Sequence, residues 1–398
     1  MYQIVIACLR RAAIVCRQFL WRIIGLFHVA YWIPIPRPHP PDTLNHPKWG
    51  THQYIKVGKI KLHYVEKGSS SKPLVLFLHG LPDFWYTWRY QLNTLSRDYW
   101  TVAVDLIGCG QSDQAPYNVS YKLWNQAMVI SRLVKALGKT DCVLVGSGYG
   151  ALLGWHVVHQ YPQVVSRYVM LGTPSVVILQ DLVRRGSISL RVLLQLVPFL
   201  CPNRLIALLA RAGDYAMFDR LLGARTAKPQ DLEAYKYTFA RPNALENAIT
   251  AARETIADFF HEDSEFRVRK PSNTPGLFLF ATEDRWIDPD ECTTLLMDMY
   301  RPLETRLVPG TARMMHQDEA GTVNRLISEF LARDVRSRVE EVMSGDDPKA
   351  KIVLKEVCDN CYGKEHSKAA HDHAECANNC DGEALRHYFT KIRFPICS

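Results

Sequence analysis

The sequence predicts an α/β protein in which a mostly parallel sheet is flanked by helices. Short β-rich segments recur from residue 55 onward, and stretches with helical spacing separate several of them. Two of these segments, LVLFL at 74–78 and CVLVG at 142–146, are almost continuously apolar. Such strands are buried on both faces, which is typical of a parallel sheet covered by helices. The chain has 398 residues and is 47% hydrophobic, which excludes collagen-like and disordered proteins.

Residues 1–36 form an N-terminal segment that we predict to associate with a membrane. Arginines interrupt every long apolar stretch, so no clean spanning helix is evident. On a helical wheel the polar residues fall within an arc of about 140° and leave a wide apolar face, which suits a helix lying in the membrane plane. These polar residues are Gln3, Arg10, Arg11, Arg17, Gln18 and Arg22. A signal anchor, a cleaved signal peptide and a helix packed on the protein's own body are the alternatives.

The net charge of +8 does not indicate binding to nucleic acid. Residues 1–50 carry +5 of this charge, and the remaining residues contain no basic run and no nucleic-acid-binding motif. A membrane is therefore the expected partner. Six scattered cysteines are predicted to be small core residues of a body that faces a reducing compartment. They are Cys8, Cys16, Cys109, Cys142, Cys201 and Cys292.

The body of the protein is predicted to consist of one sheet domain with a helical insertion. Strand patterns lie within residues 48–176 and return within 271–333, where the last part, 318–333, has helical spacing. The intervening residues 177–270 contain apolar positions at helical spacing and no strand pattern. We therefore predict a helical lid that is inserted between two strands and closes a pocket.

Several motifs in the body indicate chemistry. LVLFLHGLPDFWYTWRYQL begins at Leu74, VAVDLIGCGQSD at Val102 and CVLVGSGYGALLGW at Cys142, and the insertion contributes DLEAYKYTFARPNAL. Together these motifs resemble the epoxide hydrolases of the α/β-hydrolase superfamily, particularly their membrane-anchored branch. The match covers about residues 48–333. The resemblance implies an α/β-hydrolase fold, a hydrolase core without a cofactor, and residence at a membrane such as that of the endoplasmic reticulum.

The resemblance also implies roles for residues around a substrate pocket. A backbone N–H of the HGLP motif supports the oxyanion hole in this family, and the aromatic pair that follows lines the pocket. The oxyanion positions are Leu81 and Tyr149, and the pocket positions in the motif are His79, Gly80, Phe84 and Trp85. Two lid tyrosines of the family donate hydrogen bonds to the epoxide oxygen. The matching positions here hold Arg191 and Ala252.

The position of the family's nucleophile holds a glycine. Family members form a sharp strand-to-helix turn, G-x-nucleophile-x-G, and GSGYG supplies the small flanking residues Gly146 and Gly150. The family's aspartate attacks an epoxide carbon to form an ester, but the matching Gly148 has no side chain that can attack. Glycine there relieves backbone strain of about 1–3 kcal/mol. Ser147 is the alternative nucleophile, although a shifted turn would place bulky side chains where small ones are needed.

The catalytic histidine of the family is also replaced. The family reads SHWxQQD where this chain reads ARMMHQD, so Arg313 occupies the histidine position and cannot act as a base at neutral pH. His316 is a displaced alternative, and its simpler interpretation is a surface or helix-start histidine. The family's strand-end acid is matched by Asp284 in FATEDRW. We expect Arg313 to lie near Asp284 and to form an ion pair that blocks the former site, or a mere surface salt bridge.

Residues 334–398 form a tail outside the resemblance. Two cysteine pairs lie there with histidines between them, a spacing that permits a tetrahedral zinc site. The candidate ligands are Cys358, Cys361, Cys376 and Cys380. Disulfides and unpaired cysteines are the alternatives. A glycosylation sequon at Asn118 is more simply a chance occurrence.

The sequence therefore favours an epoxide-hydrolase-like pseudoenzyme that binds a lipophilic small molecule or a partner at a membrane. An active hydrolase of epoxides or esters with an unconventional nucleophile is the first alternative. A structural or interaction protein that acts through its tail is the second. The oligomeric state and the identity of the ligand have no signature in the sequence.

Overall fold

The computed structural model describes residues 29–115, 121–188, 199, 201–222, 228–260, 272–284, 286–312 and 314–344. Eight strands form one sheet in the order β1-β2-β4-β3-β5-β6-β7-β8. Strands β1 and β2 pair antiparallel with each other, β2 pairs antiparallel with β4, and all other neighbours are parallel. The bounds are β1 Thr51–Val57, β2 Ile60–Lys67, β3 Leu74–Leu78, β4 Trp100–Val104, β5 Cys142–Ser147, β6 Val165–Leu171, β7 Gly276–Ala281 and β8 Leu303–Val308.

Helices cover both faces of this sheet. Before and within the sheet domain they are α1 Val29–Trp32, α2 Arg89–Leu95, α3 Leu123–Ala136 and α4 Tyr149–Gln160, with short 3-10 turns that include Trp85–Trp88. The chain between β6 and β7 contains α5 Val176–Arg184, α6 Asn203–Tyr215, α7 Met217–Leu221, α8 Pro229–Ala240 and α9 Ala244–Phe260. After β7 follow α10 Pro289–Met299, α11 Met315–Asp318 and α12 Ala320–Ser344.

The central strands are buried along their whole length. Every residue of β3, β4, β5 and β7 is buried, because helices remove both strand faces from water. One apolar cluster lies on each side of the sheet. The α/β fold with a mostly parallel sheet is therefore confirmed, and the predicted final helix begins at Ala320 rather than at residue 318.

Three of the scattered cysteines behave as predicted for small core residues. Cys109, Cys142 and Cys292 are buried and free, and Cys201 is partly exposed. Burial raises the pKa of Cys292 to about 12, which keeps its thiol protonated and unreactive.

Several predicted regions fall outside the described residues, including residues 1–28, the sequon asparagine at 118 and the cysteine tail beyond 344. The predicted bounds of the N-terminal segment, the lid and the tail remain predictions. Within the part of the chain that the structure describes, no helix combines the length and apolar character needed to cross a membrane.

Candidate functional site

A sharp turn joins β5 to α4 at the carboxyl end of the sheet. Its apex residue, Gly148, has φ 56° and ψ −122°, a backbone conformation that residues with side chains rarely adopt. The flanking glycines are required by close packing. A Cβ at Gly146 would lie 2.5 Å from the Gly150 carbonyl oxygen, and a Cβ at Gly150 would lie 2.1 Å from the Leu78 carbonyl oxygen. The chain therefore forms the strand-to-helix turn that exposes a nucleophile in hydrolases of this type.

Space for a side chain exists at the apex of this turn. Among the described residues, a Cβ built on Gly148 would have one heavy atom within 4 Å, the Gly80 Cα at an ordinary contact distance of 3.6 Å. Strain in the backbone, and not crowding, is thus what glycine relieves at this position. Gly80 also lies close to Ser147 and Tyr149, since its own added Cβ would be 4.0 Å from the Tyr149 nitrogen. The structure therefore brings the HGLP motif and the turn together.

His79 lies beneath this motif and acts as a structural residue. The Leu106 N–H donates to His79 Nε2 at 3.0 Å, so this ring nitrogen is unprotonated. His79 Nδ1 then carries the proton and donates it to the Gly80 carbonyl oxygen at 2.7 Å. The ring is fully buried. It fixes the backbone that leads to Leu81, whose bond to Pro82 is cis.

The aromatic pair of the motif is buried between the sheet domain and the insertion. Phe84 stacks on Tyr86 and meets Tyr235 of α8 edge to face, with ring centroids 5.0 Å apart. The Trp85 ring packs against His52. Both rings are about 1% exposed, so Phe84 contacts the insertion whereas Trp85 packs against the β1 side of the core.

A buried chain of hydrogen bonds behind the motif was not predicted from the sequence. His52 Nε2 lies 2.9 Å from the Leu44 carbonyl oxygen and must donate to it, which leaves His52 Nδ1 to accept from His63 Nε2 at 2.9 Å. Burial lowers the pKa of His52 and keeps that ring neutral. His63 Nδ1 lies 2.7 Å from Asp105 Oδ2.

The Asp105 carboxylate is the charged end of this chain. Burial alone would raise its pKa, but the charge and the hydrogen bond of His63 hold the pKa of Asp105 below its ordinary value. Through His63 the carboxylate is joined to His52, and the three buried side chains form one continuous chain of contacts. Asp105 Oδ1 also accepts from the Trp85 N–H at 2.8 Å, which anchors the aromatic motif to the end of β4. Residues 52 and 63 carry no motif that would have revealed this contact.

His316 is buried, so its interpretation as a surface histidine is wrong. It lies in α11, as the helix-start interpretation required, and it is 0% exposed. Its ring packs on Trp88 with centroids 4.5 Å apart, and Nε2 contacts Thr87 Oγ1 at 2.6 Å. Nδ1 has no hydrogen-bond partner among the described residues. Burial, with the nearby Arg89 charge, lowers the pKa of His316 to about 3.

Polar side chains of the core and the insertion meet beside His316. Tyr235 donates to Asp83 Oδ1 at 2.6 Å, and Gln317 donates to Tyr235 at 3.2 Å. Burial raises the pKa of Asp83, although hydrogen bonds from Tyr235 and the backbone oppose the shift. Arg89 donates to Gln317 at 2.6 Å and pairs with Asp231 of α8 at 3.3 Å. This network fixes α8 to the sheet domain.

The remaining predicted site residues are only partly described. Asp284 follows β7, is partly buried, and accepts from the Trp286 N–H at 3.1 Å. Ala252 is a partly buried residue of α9. Arg313, Arg191 and the four tail cysteines lie outside the described residues, so the expected Arg313–Asp284 pair stays a prediction. Among the side chains that are described, no three of His, Cys, Asp or Glu are grouped to hold a metal ion.

Comparisons with known proteins agree with this geometry. Residues 73–206 match the family model of the alpha/beta hydrolase fold. Epoxide hydrolase 4 of Mus musculus is 31% identical over 313 residues, which cover 75% of this chain and 85% of the relative. Epoxide hydrolase 3 of Xenopus tropicalis is 28% identical over 314 residues, which cover 75% of this chain and 83% of the relative.

Solved structures show the same fold at lower identity. An epoxide hydrolase of Bacillus megaterium, in complex with an inhibitor, superimposes with a TM-score of 0.62 at 22% identity and covers 70% of this chain and 99% of its own. An epoxide hydrolase of Vigna radiata gives 0.62 at 22% identity, with 72% and 99% covered. These structures show the fold, and the 31% identity to epoxide hydrolase 4 over three quarters of the chain shows that the chain belongs to the epoxide hydrolase family of the α/β-hydrolase superfamily.

Proposed function

We propose that this protein is a membrane-associated member of the family that binds a lipophilic molecule and does not hydrolyse epoxides. Gly148 at the apex of the turn carries the proposal, since the family's covalent cycle begins with a side chain at this position. The cycle requires a carboxylate oxygen to form a bond to an epoxide carbon while the ring C–O bond breaks. Glycine offers no such atom. The chain therefore keeps the frame of the site without its reacting group.

The second step of the cycle lacks its base as well. Hydrolysis of the ester needs a group that accepts a proton from water near neutral pH. Arg313 at the histidine position stays protonated. His316 is neutral, but its Nε2 is engaged by Thr87 and its ring is covered by Trp88. Within the described residues no hydrogen bond links His316 to Ser147, so these two side chains do not form a nucleophile and base pair.

A lipophilic ligand is favoured by the chemistry around the turn. Among the described residues, the Gly80 Cα lies closest to a Cβ built at the apex, and the buried Met315 lies at the end of the neighbouring strand β6, with its methyl 3.4 Å from a Cβ built at Gly172. Phe84 lies where the insertion meets this end of the sheet. In α/β proteins ligands bind at the carboxyl ends of the strands, and apolar walls with few polar groups select apolar ligands.

Turnover and binding are tested separately on the full chain. Incubation with lipophilic epoxides and esters should give no diol or acid above that of protein-free buffer, whereas an environment-sensitive lipophilic probe should bind. Ala252→Trp should weaken probe binding because it fills the side of α9 that holds a family tyrosine. The exposed Ala257 on the same helix provides the matched control, Ala257→Trp. Turnover by the unmodified protein that Ser147→Ala or His316→Gln abolishes would contradict the proposal.

Membrane association is proposed to depend on residues 1–28. Their sequence contains four arginines, no acidic residue and long apolar stretches. A chain that lacks residues 1–28 should sediment with membranes much less than the full chain does. Equal sedimentation of the two proteins would contradict this part of the proposal.

A further inference from the structure

Helix α6 of the insertion exposes an apolar face. Leu205, Leu208 and Leu209 are spaced i, i+3 and i+4, so they lie on one side of the helix, and they are 44%, 43% and 54% exposed. Ala207 on the opposite side is 0% exposed. A helix at the surface of a soluble protein places polar residues on its outer side. Here the outer side is built from leucine.

The exposed face lies beside the point where the N-terminal segment reaches the body. Helix α1 packs against α6, and a Cβ at Gly213 would lie 3.2 Å from the Tyr31 ring. The chain then passes Ile33 and Ile35, which are both 62% exposed. We call these two isoleucines and the three leucines of α6 the apolar cap face.

A partly buried ion pair fixes this arrangement. Arg37 donates to both carboxylate oxygens of Asp214 at 2.7 Å, and also to Glu233 of α8 at 2.9 Å. The Ile35 N–H donates to Asp214 Oδ1 at 3.1 Å. Asp214 follows the helical part of α6 and has φ 56°, a strained conformation that these partners hold in place. These contacts therefore hold Ile35 and Arg37 against α6 and α8.

An exposed arginine lies next to the leucines of this face. Of the two arginines in α6, Arg211 pairs with Glu246 at 2.7 Å, so Arg204 is the one whose charge can meet anionic lipid headgroups. Arg204 is exposed at the start of α6. Leucines next to arginines are the composition with which helices bind the boundary between headgroups and acyl chains.

We propose that the apolar cap face rests on the same lipid bilayer that receives residues 1–28. The inference depends on the proposed membrane association and adds a second contact, supplied by the folded insertion. Because four residues of α1 separate the described start of the chain from the apolar cap face, one bilayer can engage both. The insertion then faces the membrane.

The first test places a fluorescent amino acid at position 208 in the full chain. Position 297 is the matched control, because Met297 on α10 is also 43% exposed. The chain is bound to phosphatidylcholine and phosphatidylserine vesicles that contain a quencher attached to the acyl chains. Quenching at 208 and none at 297 is expected. Binding of the chain with equal or no quenching at both positions would overturn the inference and leave the proposed function standing.

The second test measures how strongly the full chain binds the same vesicles. The double variant Leu208→Ser and Leu209→Ser should weaken binding about tenfold, because two apolar side chains no longer enter the bilayer. Met297→Ser with Leu307→Ser is the control, since these residues are 43% and 57% exposed on other elements. Circular dichroism should show the same folded state in both variants.

Two further outcomes would overturn the inference. If the double variant converts a dimer to a monomer in sedimentation and leaves vesicle binding unchanged, the apolar cap face binds a second copy of the chain. If the unmodified full chain does not bind vesicles at all, the proposed membrane association fails together with the second contact.

Discussion

Replacing Gly148 tests whether glycine at the turn apex stabilises the fold by relieving backbone strain. The backbone there has φ 56° and ψ −122°, and a side chain in such a conformation costs about 1–3 kcal/mol. Crowding by the residues that the structure describes adds little, because among them a Cβ would contact only the Gly80 Cα, at 3.6 Å. We therefore expect Gly148→Ala and Gly148→Asp each to lower the free energy of unfolding by about 1–3 kcal/mol.

The flanking glycines supply the comparison for this measurement. A Cβ at Gly146 or Gly150 would come within 2.5 Å or 2.1 Å of a backbone carbonyl oxygen, which cannot move without separating α4 from the sheet. Gly146→Ala and Gly150→Ala should therefore destabilise the protein more than the Gly148 variants do. Urea unfolding, monitored by circular dichroism, ranks the variants by their free energy of unfolding. A Gly148→Ala protein as stable as the unmodified one, or less stable than Gly150→Ala, would refute the reasoning.

The same substitution has a chemical consequence. In Gly148→Asp a carboxylate oxygen can bond to an epoxide carbon as the ring C–O bond breaks, and the resulting alkoxide takes a proton from water. Arg313 cannot assist hydrolysis of the ester, so an adduct with the added mass of the epoxide should accumulate in intact mass spectra. Gly148→Ala should form none. Adding Arg313→His to Gly148→Asp should give slow diol formation. If the double variant forms no diol and the single variant forms no adduct, position 148 is not the nucleophile position.

Three further perturbations address other parts of the molecule. Arg37→Ala should lower the free energy of unfolding by about 1 kcal/mol at neutral pH. The Arg37 hydrogen bond lowers the pKa of Asp214 to about 2, so the effect of the substitution should shrink as the pH falls from 4 towards 2. Arg184→Ala removes an exposed ion pair and should leave the free energy of unfolding unchanged. His316→Gln should reduce the loss of stability below pH 6.5. In the unmodified protein His316 takes up a proton there in the unfolded chain but not in the folded chain, where its pKa is about 3. If the free energy of unfolding, measured in urea, depends on pH between 7 and 5 equally in both proteins, this explanation is wrong. Zinc should bind at about one equivalent and be lost when Cys358 and Cys376 are replaced, and metal-free protein purified without chelator would favour disulfides or free thiols.

The sheet could be predicted from the sequence because its physical causes are local. Short continuous apolar runs such as those at 74–78 and 142–146, rich in β-branched residues or bounded by turn residues, favour strands buried on both faces. The glycines at 146 and 150 are part of a recognisable motif, and the structure shows that close backbone contacts require them. The burial of His316 could not be predicted in this way. Its partners Thr87 and Trp88 are more than 220 residues away in sequence, and no periodicity marks a four-residue helix.

The apolar cap face was likewise hidden in the sequence. The helical spacing of Leu205, Leu208 and Leu209 predicts an amphipathic helix, and the usual inference is that its apolar side is buried. In the fold Ala207 supplies the buried side and the leucines face outward. Only the packing of α6 decides between these two orientations, because the sequence of the helix is compatible with both.

The turn at Gly148 shows that the packing of the flanking glycines and the identity of the apex residue are separate requirements. Gly146 and Gly150 are fixed by backbone contacts, so the turn must keep them whether or not a reaction takes place. The apex residue has no such contact with the described part of the chain, where only the Gly80 Cα lies near its Cβ position. Glycine at the apex therefore relieves strain and costs no packing against the described residues, whereas loss of a flanking glycine would disrupt the sheet. The fold and the flanking glycines of the turn thus depend on packing, and the apex residue is free to vary without disturbing them.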